Sequence, residues 1–210
     1  MNKVNYHKET EKVIASLTDR PRLLLHSCCA PCSSYCLIYL LPHFDITCFY
    51  YNPNITDADE YDKRIRELVR LSDTLNEEFA PSEKITPIKV IAGDYEPEVF
   101  LEAVKKGGLE NCPEGGDRCR MCFGMRLRKT YELACAEGFD YFTTTLTISP
   151  LKDAQVINDI GYAVADSSED GPMWLPSDFK KNDGYKRSIE LSRKYDLYRQ
   201  SYCGCIYSKG

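Results

Sequence analysis

Seven cysteines fall into three short groups: Cys28, Cys29 and Cys32 in HSCCAPC, Cys119 and Cys122 in DRCRMC, and Cys203 and Cys205 in YCGC. A C-x-x-C pair lets two thiolates reach one metal from a single turn, and two such sources complete a four-sulfur shell. Arg118 and Arg120 flank the second pair, and nearby positive charge stabilises thiolates. A tetrahedral zinc needs only four of these ligands, whereas an iron–sulfur cluster takes four and leaves Cys32, Cys203 and Cys205 for a second task, so the surplus favours redox chemistry. Adjacent residues such as Cys28 and Cys29 are expected to point apart, which suits separate irons of one cluster better than a mononuclear site. A zinc knot is the structural alternative for the first two groups. For Cys203-Gly204-Cys205 a resolving thiol pair competes with metal ligation.

The other thiols read differently. Cys36, Cys48 and Cys135 fall in expected helices or a strand, where a free cysteine acts as a small apolar group. Cys112 in NCPEGG is either a spare ligand or a loop thiol. His7 and His43 read as surface or packing residues, and His26 is a candidate for the site.

Composition bounds the setting. The chain has 210 residues, 11 of them cysteines, a length at which roughly 70% of the unfolded surface is buried and no disulfide scaffold is needed. Its start, MNKVNYHKETEKV, is polar, and no stretch approaches the ~20 apolar residues of a membrane span. The expectation is a cytoplasmic protein without a membrane partner, in a compartment where thiols stay reduced and cysteines serve metal or redox chemistry. The net charge of −5 argues against a general nucleic-acid coat. Local basic stretches occur at Arg118–Lys129 and Lys180–Lys194.

The elements that must position these residues alternate. Arg22 to His26 is a buried strand ending in the Cys/Pro turn, and Ser33 to Leu41 a helix. Asp45 to Tyr51 is a second strand closing at Asn52-Pro53-Asn54. Leu68, Leu71, Leu75 and Phe79 mark an amphipathic helix over Asp59–Ala80. Thr86 to Ile91 is a third strand, and Pro97 opens a helix through Lys106. Phe123, Leu127, Tyr131 and Ala134 mark another, ending near Gly138 before the strand Tyr141–Leu146. A helix follows Ser149-Pro150, residues 164–184 are loop-like, and Tyr185–Tyr195 is the last helix. Alternation of this kind predicts an open α/β sheet, mostly parallel, with crossover helices. One domain over 1–210 is expected, with 1–20 a polar extension and 164–210 a loop, helix and Cys-Gly-Cys tail closing the site. Ligands bind beyond the carboxyl ends of such strands. The cysteines after strand one, Asn52 and Asn54 after strand two, Asp94 after strand three, and Leu146 and Ser149 after strand four should therefore share a rim.

Four stretches, LLLHSCCAPC, YYNPNI followed by EYDKRIREL, CRMCFGMRLRKTYELACAEGFDYFTTTLTISP and FKKNDGYKRSIELSRKYDLYRQSYCGC, together resemble the cobalamin-independent epoxyqueuosine reductases of the QueH family. The resemblance implies a fold related to adenine-nucleotide hydrolase-like (HUP/PP-loop-like) α/β proteins. No S-G-G-x-D-S phosphate loop follows strand one; HSCCAPC stands there, which removes the Gly-rich cradle that phosphate binding needs. It further implies that Cys28, Cys29, Cys119 and Cys122 hold a 4Fe-4S cluster and that Cys32, Cys203 and Cys205 hold an additional mononuclear iron. The family varies between Cys and Asp at the position of Cys32.

The implied reaction takes the epoxide oxygen from epoxyqueuosine at the wobble position of transfer RNA, using electrons from an unidentified low-potential donor. Tyr51, Tyr61, Asp183 and Tyr185 are candidate proton donors. Asn52, Asn54, Tyr61, Arg64, Thr144, Thr145 and Ser149 are candidates for substrate recognition on the rim. Lys180, Lys186 and Arg187 are candidates for phosphate contacts. Two rivals compete: a transfer RNA sulfur-insertion enzyme, disfavoured by the missing phosphate loop, and a non-catalytic zinc-stabilised nucleic-acid-binding module.

Overall fold

The computed structural model describes residues 4–79, 85–168 and 170–208. Its strands are β1 (Arg22–His26), β2 (Asp45–Tyr50), β3 (Lys89–Ala92), β4 (Tyr141–Thr144) and β5 (Met173–Trp174). Its helices are α1 (Tyr6–Ser16), α2 (Ala30–Leu40), α3 (Ala58–Phe79), α4 (Pro97–Lys106), α5 (Asp117–Ala136), α6 (Ala154–Ala165) and α7 (Gly184–Lys194). The strands form one parallel sheet in the order β3-β2-β1-β4-β5. The open parallel α/β architecture expected from the alternating pattern is thus the one observed, a Rossmann-like sheet.

Parallel strands covered on both faces read as continuous apolar runs, and β1 is the clearest case. Leu23 and Leu25 pack into a core shared with α2 and α3, while Leu24 faces a second core built with Phe49, Phe142 and residues of α5 and α6. Alternate side chains of a strand point to opposite faces, so one five-residue strand anchors both layers. A smaller cluster joins Phe100 and Val104 of α4 to Cys122 and Cys205.

The chain leaves β1 toward β2 and β3 on one side and returns to β4 and β5 on the other. The strand order therefore reverses between β1 and β4, which in open α/β sheets is where a crevice forms beyond the strand ends. Thr145, just past β4, reaches across it: its hydroxyl accepts from the Cys28 amide at 3.3 Å.

Several boundaries differ from those expected, each for a local reason. Helix α2 begins at Ala30, not Ser33, because Pro31 is tolerated in a first helical turn; Cys32 thereby becomes helical. Strand β3 begins at Lys89, not Thr86, because the Ile88 amide and carbonyl are bonded to the Asn76 side chain at 2.7 and 3.0 Å, and Pro87 has no amide to offer. Strand β4 stops at Thr144, not Leu146, because the Thr144 hydroxyl accepts from the Leu146 amide at 3.1 Å and starts a 3-10 turn over Thr145–Ile148. Helix α6 starts at Ala154, capped by the Asp153 carboxylate on the Gln155 amide at 2.8 Å. Ala80, the expected end of α3, lies outside the described residues.

The polar N-terminal segment carries α1, whose Thr10 hydroxyl donates to the Pro176 carbonyl at 2.7 Å. The loop-like stretch 164–184 carries the two-residue β5. No helix among the described residues is long and apolar enough to cross a membrane.

Candidate metal centre and substrate pocket

The thiols of Cys28, Cys29 and Cys32 lie within 4.8 Å of one another, the one such group among the described residues. Cys28 and Cys29 are 3.8 Å apart at sulfur. The expectation that adjacent cysteines point apart is therefore not met. Cys29 is fully extended (φ −173°, ψ 161°) at the junction of β1 and α2, and the chain turns around it so that all three thiols gather over the helix start. A metal–sulfur bond of about 2.3 Å in a tetrahedron separates sulfurs by about 3.8 Å, so this triad is compact enough to grip a metal ion.

The remaining four thiols meet elsewhere on the same rim. Cys119 and Cys122 occupy the first turns of α5, Cys203 and Cys205 the tail, and all four line a small cavity of about 30 Å³ together with Asn54, Arg118, Arg126 and Lys152. A neighbouring cavity of about 230 Å³ is lined by Cys32, Cys203, Ser149, Lys152, Tyr185, Gln200 and Tyr202. Cys203 borders both.

Sulfur here is surrounded by donors. Arg126 donates to Cys122 Sγ at 3.2 Å, Gln200 to Cys29 Sγ at 2.9 Å, the Gly115 amide to Cys119 Sγ at 3.2 Å, and the Thr145 hydroxyl to Cys28 Sγ at 3.5 Å. Hydrogen bonds from Cys29 and Cys32 hold Cys28 well below the usual thiol range. Burial pushes Cys29 up to about 12 and Cys122 to about 11. Burial works against the charge of Arg126 and Lys152, yet the surrounding thiols raise both. Thiols facing buried Arg126 and half-buried Lys152 suit anionic sulfur.

The candidate recognition residues divide. Asn54 accepts from Arg126 and donates to the Cys203 carbonyl at 3.3 Å. Arg64, 2% exposed, pairs with Glu60 at 2.6 Å and donates to the carbonyls of Cys203 and Tyr202 at 3.1 and 3.3 Å. Both hold the tail. Asn52 donates to the Ser27 carbonyl at 3.0 Å, leaving its buried Oδ1 without a partner. Thr144 bonds His26 Nδ1 at 2.7 Å, and His26 Nε2 faces the Tyr51 carbonyl at 3.1 Å. Burial, then the Arg126 charge, lowers His26 to about 4, so it supports β1 as a neutral ring. Thr145 and Ser149 face the crevice and the larger cavity.

Other candidates lie away from the thiols. The Tyr61 hydroxyl donates to the Gly93 carbonyl at 3.1 Å and the Tyr51 hydroxyl to Glu96 at 3.2 Å, so neither donor faces the cysteines. Lys180 pairs with Asp178 at 2.6 Å and borders a groove beside the larger cavity, which Lys152 also lines. Arg187 lines a groove with Tyr35 and Tyr39 of α2, and neither it nor Lys186 lines a thiol cavity, because α7 packs lengthwise on α2. Asp183 precedes α7 at φ 60° without a side-chain capping bond, whereas Tyr185 does line the larger cavity.

Sequence reasoning missed Arg126, Lys152 and Gln200. For Arg126 a signal was present: it stands one helical turn after Cys122, on the same face of α5. Lys152 and Gln200 sit in irregular segments, where spacing carries no orientation.

A Rossmann-like sheet with a thiol-lined crevice at its switch point defines an α/β protein whose grouped cysteines could hold a metal. The family described as Epoxyqueuosine reductase QueH matches residues 23–210, and the chain belongs to it. A relative named Epoxyqueuosine reductase QueH from Streptococcus pyogenes serotype M1 is 44% identical over 209 residues, covering 98% of this chain and 78% of the relative. One of the same name from Staphylococcus epidermidis is 42% identical over 98% of this chain and 85% of its own length. Another from Thermotoga maritima is 33% identical over 89% of each.

Proposed function

We propose that this protein is an oxidoreductase that converts epoxyqueuosine to queuosine in transfer RNA, with a 4Fe-4S cluster on Cys28, Cys29, Cys119 and Cys122 and an iron on Cys32, Cys203 and Cys205. The observation that carries the reading is that Cys32, Cys119, Cys122, Cys203 and Cys205 line two adjoining cavities that share Cys203, with Cys28 and Cys29 beside Cys32, in a chain of this family. The donor set fits: all-sulfur ligands suit iron–sulfur centres, and the amide, hydroxyl and guanidinium donors around them are of the kind that tune such centres. When bound, the metals would relay electrons one at a time from an external donor and supply Lewis acidity.

The chain's own residues do the rest. Tyr185 and Tyr202 border the larger cavity and offer ring faces to a base that has left its stack, as RNA-modifying sites require. Ser149 and Gln200 supply polar contacts at the same wall, and the buried Oδ1 of Asn52 is an acceptor without a partner. Lys180, beside the cavity, positions backbone phosphates. Arg64 and Asn54 hold the Cys203–Cys205 tail over the crevice, so the tail closes the site. The reaction needs a low-potential electron donor and sets the protein in the cytoplasm with its RNA.

The test is anaerobic purification, quantification of iron and acid-labile sulfide per chain, and incubation with a reduced electron carrier and RNA containing epoxyqueuosine. More iron than sulfide, with loss of one oxygen from the base by mass spectrometry, is the expected result. A loaded cluster without turnover points to sulfur transfer, and zinc without iron to a binding module.

A further inference from the structure

We propose that Lys152 is a catalytic residue whose ammonium hydrogen-bonds the substrate's epoxide oxygen and stabilises the negative charge that develops there as the first C–O bond breaks. The inference rests on the reductase reading and adds to it the group that receives the oxygen.

The geometry singles this residue out. Lys152 lies in the turn between Pro150 and α6, its amide donating to the Ser149 carbonyl at 3.2 Å. It lines both thiol cavities and the groove that continues past Lys180. The other cations near the thiols are each tied to a protein partner, and although the buried Nε atoms of Arg118 and Arg126 have none, those two residues line only the smaller cavity. Arg126 is bonded to Asn54 and Cys122, Arg64 to Glu60 and the tail, and Arg118 to the carbonyls of Leu109 and Glu110 at 3.0 Å. Lys180 pairs with Asp178, and Arg199 donates to the Ser192 hydroxyl at 3.1 Å. Lys152 forms no ion pair among the described residues, although exposed Glu114 borders the same two cavities. An ammonium with three donors and no ion pair, bordering the substrate cavity, is the group there fit to receive an oxygen anion.

Deoxygenation of the epoxide breaks two C–O bonds and forms one C=C bond. It consumes two electrons from a low-potential one-electron carrier and two protons from solvent, and the oxygen leaves as water. Negative charge collects on oxygen between the first bond cleavage and its protonation, and a donor placed for that moment in a water-poor site lowers the barrier.

Lys152→Gln and Lys152→Arg, each loaded anaerobically, test the assignment against an RNA stem-loop carrying epoxyqueuosine. The expected result for Lys152→Gln is a kcat lower by about 10²–10³-fold, the typical effect of losing one such donor. Its KM for RNA, iron, sulfide and visible absorption should stay at wild-type values, and Lys152→Arg should recover most of the lost kcat. A Lys152→Gln enzyme with kcat within about threefold of wild type overturns the proposal, as does a rise in KM alone, which would mark a phosphate contact. Loss of iron or sulfide from both variants also overturns it, because the lysine would then be structural. A fully loaded wild-type protein that leaves epoxyqueuosine intact overturns the reductase reading and this role together, and it is told apart because it precedes any substitution.

Discussion

The thiols behind β1 and those of α5 and the tail are held by different means. Cys28, Cys29 and Cys32 follow directly from the central strand of the sheet, and the backbone turn into α2 gathers them within 4.8 Å. Cys203 and Cys205 lie in a stretch without regular structure, apart from a short 3-10 turn over Ile206–Ser208. Their tail reaches Cys119 and Cys122 through side-chain bonds from Arg64 and Asn54 to tail carbonyls. The thiols behind β1 are thus built into the fold; the other group is completed by a tail docked onto it. Docked segments open at lower cost than core elements, and metal binding couples to their ordering.

The largest effects should come from the ligands themselves. Cys119→Ser is expected to abolish cluster assembly, leaving colourless protein. Cys205→Ser is expected to keep the absorption near 400 nm while reductase activity falls below detection. Iron and sulfide analysis of both variants is the check. Loss of both properties in both variants would mean one indivisible site and remove the distinction between the cluster and the second iron.

Arg64→Ala strikes the docking alone. The guanidinium is 2% exposed and its partner Glu60 is also largely covered. Breaking a buried pair from one side costs about 3–5 kcal/mol, here together with the Arg64 bonds to two tail carbonyls, of which that of Cys203 keeps its bond from Asn54. Chemical denaturation should show that loss, and limited proteolysis should cut near residues 199–205 in the metal-free variant. A tail that stays resistant would show that Arg64 is not what holds it.

Gly204→Ala is a smaller perturbation of the same segment. Gly204 sits at φ +99°, and a Cβ there would come within 2.6 Å of the Ile55 side chain. A side chain forced into that region costs about 1–3 kcal/mol. The expected outcome is a weakened second iron site, seen as fewer irons per chain with sulfide unchanged. Unchanged iron would mean that the tail shifts without opening the site.

These two halves also differ in how much the sequence revealed. The apolar run of β1 and the 3–4 spacing of α3 are read from burial periodicity alone, and both elements lie where expected. The three cysteine groups stand out by spacing, but their mutual distances do not, because Cys29 turns on backbone angles that composition does not encode. Tyr61 and Arg64 share a helix face yet only Arg64 reaches the tail, since the Tyr61 ring packs against Tyr50 and Tyr95 at the sheet edge. Strand β5 escaped notice because two residues carry no periodicity. Lys152 escaped because a turn residue's neighbours are set by the fold as a whole.

Thr145→Val should have the smallest effect and bears on the half that is built in. The substitution removes a hydroxyl that accepts from the Cys28 amide and donates to its sulfur at 3.5 Å, while keeping the side-chain volume. A hydrogen bond of this kind contributes about 1 kcal/mol, and the remaining backbone bonds of β1 and α2 are untouched. The thermal midpoint should therefore fall by only a few degrees. Iron and sulfide should stay at wild-type levels, because the turn that gathers the three thiols does not depend on Thr145. Donors to cluster sulfur raise reduction potential, so a potentiometric titration should place the variant below wild type. Iron loss in this variant, at unchanged potential, would show that the thiols behind β1 also need side-chain tethers, and the contrast between a built-in half and a docked half would fail.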